Sequence, residues 1–115
     1  FYMSPDQKMF FKIMDNELVP FAKNIFRNAR VDINDIDLFL LHYPSRPLYD
    51  NFMKGLNIPR QKIFNTFPEH GNVIASEMPI LLERAINSRR IHSGDLIFMF
   101  TYGAGITGGG LIMRY

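Results

Sequence analysis

A few residues in this chain have types and placements that could do chemistry. His42 follows directly on Leu38-Phe39-Leu40-Leu41 in "VDINDIDLFLLHY". If that apolar run is a strand of an open α/β sheet, its carboxyl end is where ligands and catalytic groups collect. The alternative is a histidine that merely ties down a loop carbonyl. Asn72 stands in "PEHGNVIASEMP", just ahead of an apolar helical pattern. From local sequence the better reading is a plain N-cap, its side chain satisfying a free backbone N–H at the helix start. His70 reads as a loop residue and His92 as a surface one. The three histidines match no metal-ligand spacing and bring no carboxylate or thiolate cluster with them, so no metal is expected. "GAGITG" (103–108) fits G-x-G-x-x-G, but it leads into a strand pattern, and dinucleotide binding needs a helix N-terminus there. A tight reversal that uses glycine's positive φ is the better reading.

The elements that must position these residues are legible in outline. Ser4, Pro5 and Gln7 form a helix start with a capping box, and Met9, Phe10, Ile13 and Met14 follow at helical spacing. Pro20 predicts a kink or fresh start near Asn16–Pro20, then a second amphipathic helix through Phe21, Ala22, Ile25, Phe26 and Ala29. The run 38–41 predicts a strand buried on both faces. Ser45 can cap a helix bearing Leu48, Phe52 and Leu56, which ends at Asn57-Ile58-Pro59. "KIFNTF" (62–67) predicts a second short strand, and a helix runs from about Asn72 to Asn87. "SGDLIFMFTYG" and "GAGITGGGLIMRY" supply a third strand, a glycine-rich reversal and a last strand. The order is helix, strand, helix, strand, helix, strand, strand. It implies an α/β layer on a mixed, mainly parallel sheet whose last pair is antiparallel.

Composition narrows the class. The 115 residues suit a single domain, and 47% hydrophobic with 21% charged residues describes a globular chain rather than a disordered one. A net charge of +2, with basic residues scattered, argues for neither a nucleic-acid partner nor an anionic membrane. No segment reaches the roughly 18 uninterrupted apolar residues of a membrane span, and no secretory signal is recognisable. Cysteine is absent, so disulfides, thiolate metal sites and thiol nucleophiles are excluded within these residues. The opening "FYMSPDQ" has no initiator methionine, which suggests a piece of a longer protein.

Taken in order, the motifs resemble the C-terminal half of a β-ketoacyl-acyl-carrier-protein synthase III, a thiolase-fold condensing enzyme. "DIDLFLLHYPSR" is similar to the family's strand ending in H-Q-A-N, and "HGNVIASEMP" to its G-N-T-S-A-A-S helix start. "TYGAGITGGGLIMRY" resembles the glycine-rich turn into the final strand; "LNIPRQKIFNTF" and "NSRRIHSGDLIFMF" resemble the segments between. The likeness covers nearly the whole chain.

The resemblance implies that His42 and Asn72 are the catalytic histidine and asparagine, pointing into a buried cavity at the mouth of the sheet. An acyl group from acyl-CoA would load onto a cysteine of the N-terminal half. Malonyl-acyl carrier protein would then lose carbon dioxide, while a neutral His42 and the Asn72 amide donate to its thioester oxygen. Such preorganised donors contribute roughly 3–4 kcal/mol each. The backbone N–H of Ala104, with Gly103 beside it, would help hold the acyl carbonyl, and Arg46 would lie near the carrier-protein surface. No cofactor is implied. Partners would be the two thioesters, the N-terminal half and a second copy, in the cytoplasm. Alone, this half would be inactive and would expose an apolar face. Tyr43-Pro44-Ser45 after His42, Val73-Ile74-Ala75-Ser76 after Asn72, and Gly108 in place of an aromatic depart from the pattern, which suggests a divergent member. A thiolase-fold acyltransferase that does not decarboxylate malonyl groups, and a non-catalytic binding module, stand as rivals.

Overall fold

The computed structural model describes residues 4–103 and 105–115. Helix α1 (Pro5–Ile13) starts as its sequence dictates. The Ser4 hydroxyl accepts from the Gln7 backbone N–H at 3.2 Å, and the Gln7 side chain accepts from the Ser4 N–H at 2.8 Å. Before Pro20 the backbone widens into a π turn, Met14–Leu18, and α2 (Val19–Ala29) begins. A proline cannot donate to an α ladder, and a π turn absorbs the mismatch without ending the rod.

Strand β1 (Leu38–Leu41) is buried at all four positions. It is followed by α3 (Arg46–Leu56), β2 (Ile63–Phe64), the single turn α4 (Phe67–His70) and α5 (Glu77–Asn87). Strands β3 (Leu96–Gly103) and β4 (Thr107–Arg114) close the chain. The sheet order is β2-β1-β3-β4, with β1 parallel to both neighbours and β3 antiparallel to β4. A mixed, mainly parallel sheet with an antiparallel end is the expected arrangement. Strand β2 is shorter than the expected 62–67, because Phe67 already begins α4. Ser45 occupies the cap position of α3, although its side chain makes no capping hydrogen bond.

Alternation along β1 splits the core into two layers. Phe39 and Leu41 pack with Phe98, Phe100 and the inner faces of the π turn, α2 and α3. Leu38 and Leu40 pack with Ile97 against Leu81 and Ala85 of α5. Helices therefore cover both faces of β1, as its unbroken apolar run requires. At the far end, α2 lies close over β4. A Cβ on Gly110 would sit 2.7 Å from Ile25 Cδ1 and 2.8 Å from Phe100 Cδ2, so glycine is what lets the helix approach.

Candidate active site

The sheet carries its ladder one residue past β1: the His42 backbone N–H donates to the Phe100 carbonyl at 2.9 Å. By alternation His42 shares the side of Leu38 and Leu40, the side that α5 covers. The first residue of α5 is Glu77. With Leu81 and Ala85 it forms an i, i+4, i+8 stripe that is 2%, 0% and 0% exposed. The carboxylate thus points into the core and meets the histidine, with Glu77 Oε2 against His42 Nδ1. Glu77 Oε1 accepts from the Tyr43 backbone N–H at 3.0 Å. A buried carboxylate is costly unless its oxygens are satisfied, and here both are. Its place in the first turn of α5 also suits the positive end of the helix dipole.

Tyr102 of β3 sets its ring edge-on to His42, with centroids 5.2 Å apart. Its hydroxyl is buried without a partner among the described residues. Burial, and secondarily the charge of Glu77, raises the Tyr102 pKa well above its ordinary 10.0.

Asn72 comes to the same place by a different route. Gly71 holds φ 64° and ψ −155°, a conformation open essentially only to glycine. The α-helix does not begin at Asn72, as the sequence reading expects, but at Glu77. Between them Ile74 takes φ 54° and a 3-10 turn spans Ile74–Ser76. Instead of capping α5, Asn72 closes a local turn, its Oδ1 accepting from the Ile74 N–H at 3.0 Å. That bond orients the amide and leaves Nδ2 free to donate.

His42, Asn72, Ile74, Met78, Tyr102 and Gly103 are among the residues lining one cavity of about 590 Å³ at the carboxyl ends of β1 and β3. Three of the five expected site residues are therefore brought together. Ala104 lies outside the described residues. Arg46, the first residue of α3, does not line this cavity. It is exposed, 3.7 Å from Asp50, on the rim of a separate cavity of about 280 Å³ shared with Tyr43, Tyr49 and Arg60. His70 and His92 are exposed and lie off the site, His92 beside Asp95.

Glu77 is the residue that sequence reasoning misses. The signal was available: a glutamate four residues before Leu81 and eight before Ala85 occupies the apolar stripe of the helix. Counting from Gly71, it also stands where the motif G-N-T-S-A-A-S has its last serine.

A helix-covered mixed sheet with histidine and asparagine converging at one end is the C-terminal half of a thiolase-like fold. Residues 26–115 match the family described as 3-oxoacyl-[acyl-carrier-protein (ACP)] synthase III C terminal, and the chain belongs to that family. Among curated relatives, the β-ketoacyl-[acyl-carrier-protein] synthase III of Microcystis aeruginosa is 33% identical over 81% of this chain and 28% of its own length. The enzyme of the same name from Rhodopirellula baltica is 28% identical over 99% of this chain and 33% of its own. The crystal structure of 3-oxoacyl-[acyl-carrier-protein] synthase III from Aquifex aeolicus superposes with a TM-score of 0.88 at 28% identity, over 99% of this chain and 37% of that one. The chain thus spans about a third of the length of the relatives it matches.

Proposed function

We propose that this chain is the C-terminal catalytic half of a β-ketoacyl-acyl-carrier-protein synthase III-like enzyme. The whole protein would catalyse decarboxylative Claisen condensation of an acyl thioester with malonyl-acyl carrier protein, in fatty-acid or related secondary-metabolite synthesis. The observation that carries this reading is the convergence of His42 and Asn72 on one cavity, each tied at one polar atom and free at the other. Charge develops on the malonyl thioester oxygen as the bond to the carboxyl carbon breaks. The Nδ2–H of Asn72 and the Nε2 side of His42 are the groups that would meet it.

The nucleophilic cysteine would come from the N-terminal half, since these 115 residues contain none. Acyl-CoA would load that cysteine, with the Ala104 N–H and the Gly103 backbone framing the acyl carbonyl. Exposed Arg46 would meet the acidic carrier protein outside the cavity. The second half, and a second copy of the whole protein, would cover the apolar residues left exposed here. We place the enzyme in the cytoplasm. Among the described residues no helix is long and apolar enough to cross a membrane.

The test uses the full-length protein. Incubation with acyl-CoAs, followed by intact mass spectrometry, should show an acyl adduct; added malonyl-acyl carrier protein should then release carbon dioxide. Asn72→Ala should keep the adduct and lose carbon dioxide release by roughly 10²-fold or more. Asn72 is exposed and supports only a local turn, so this variant should fold. An adduct with no carbon dioxide from the unaltered protein would demote the reading to acyl transfer. No adduct with any donor would leave a binding module.

A further inference from the structure

The Glu77 carboxylate bears on how His42 can act. A neutral imidazole carries one proton, on one nitrogen or the other, and the partner of the first nitrogen decides which. Glu77 has two oxygens and two neighbours. One oxygen accepts from the Tyr43 backbone N–H, which can only donate. The other faces His42 Nδ1. A carboxylate in that position accepts a hydrogen bond from Nδ1–H and has no proton of its own to donate. Nε2 has no protein partner among the described residues, and the ring lines the cavity.

We propose that Glu77 is a positioning residue that keeps the proton of neutral His42 on Nδ1, so that Nε2 meets the cavity as the nitrogen that gains and loses a proton. This rests on the condensing reading above and changes one part of it. With Nδ1 protonated, the neutral ring has a lone pair at Nε2 and cannot donate to the thioester oxygen. Donation requires a second proton, and the ring that donates is then an imidazolium held against a carboxylate, a stronger donor than the neutral ring.

The sign of the pH dependence follows. Donation needs an Nε2 proton that the singly protonated ring lacks, so carbon dioxide release should fall along an alkaline limb as pH rises. The groups facing the pair are few. Glu77 comes from α5 and Tyr102 from β3, while Tyr43 and Tyr49 flank the exit of β1 and the start of α3. Glu77's ion-pair partner among the described residues is His42.

Glu77→Gln is a sharp probe because the Tyr43 N–H fixes which way the new amide faces. Its oxygen must take the Tyr43 bond, which turns its NH₂ toward His42 Nδ1. The amide then donates, Nδ1 becomes the acceptor, and the neutral ring carries its proton on Nε2. The experiment is nitrogen-15 NMR of the full-length protein with labelled histidine, across pH, with carbon dioxide release measured on the same samples. The expected result is Nδ1–H in neutral His42 of the unaltered protein and Nε2–H in Glu77→Gln. The alkaline limb of kcat should then disappear from Glu77→Gln, with KM for acyl-CoA unchanged, and Glu77→Asp should restore it in part. Nε2–H in the unaltered protein, or an unchanged nitrogen pattern in Glu77→Gln, would overturn the inference. If the nitrogen patterns appear as expected while no variant releases carbon dioxide, the tautomer assignment stands and the condensing reading fails.

Discussion

At the scale of single residues, the site is a set of polar atoms with one side satisfied. His42 was legible because it follows the apolar run of β1 where the sheet opens, and Asn72 through its place after Gly71 in the family's helix-start motif. Glu77 was not, since a helix read for its apolar positions discards the charged one among them. Two tyrosine hydroxyls, those of Tyr49 and Tyr102, are buried without partners among the described residues. Burial comes first in raising both pKa values above the ordinary 10.0; for Tyr49 the next contribution is from Tyr43, for Tyr102 from Glu77. The folded chain therefore keeps both protons at a pH where the unfolded chain has released them. Stability contributed this way is complete below about pH 10 and is lost as pH rises beyond it. Chemical denaturation at pH 8 and pH 11 should show a steep loss at the higher value. Tyr49→Phe with Tyr102→Phe should flatten that loss, and should change stability little at pH 8, because neither hydroxyl has a partner to lose.

The elements show where sequence patterning runs out. Strand β1 could be read directly, since burial at all four positions leaves an unbroken apolar run, and β3 carries a similar run over Leu96–Phe100, buried or half-buried there. The start of α5 could not be fixed by periodicity, which continues through Ile74. Ile74 is instead 74% exposed with a positive φ, a conformation disfavoured for a β-branched side chain and imposed by the turn that Asn72 closes. Pro79 held the correction: it is the third residue of α5, where the backbone N–H needs no helical partner. A helix begun at Asn72 would have placed it too deep. The contact between α2 and β4 was also invisible, because it depends on an absent side chain. Gly110→Ala should push Ile25 and the Phe100 ring apart and cost about 1–3 kcal/mol, read as a lower denaturation midpoint. Gly109→Ala, with nothing within 4 Å of its added Cβ, is the control.

For the whole molecule, the family and the mixed sheet could be read from the order of motifs. That order also leaves a physical consequence at one margin. Strand β4 is the last strand of the sheet β2-β1-β3-β4, and its outer edge has no strand against it among the described residues. It runs for eight residues, exposed or half-buried throughout, and includes three successive glycines and half-exposed Leu111. Such an edge presents a row of backbone donors and acceptors that any extended chain can add to. The 115-residue chain prepared by itself should therefore be colloidally unstable: light scattering and thioflavin fluorescence should rise with concentration and time. Leu111→Lys, which places a charge on that margin, should slow both, and an unchanged rate would move the fault elsewhere on the surface.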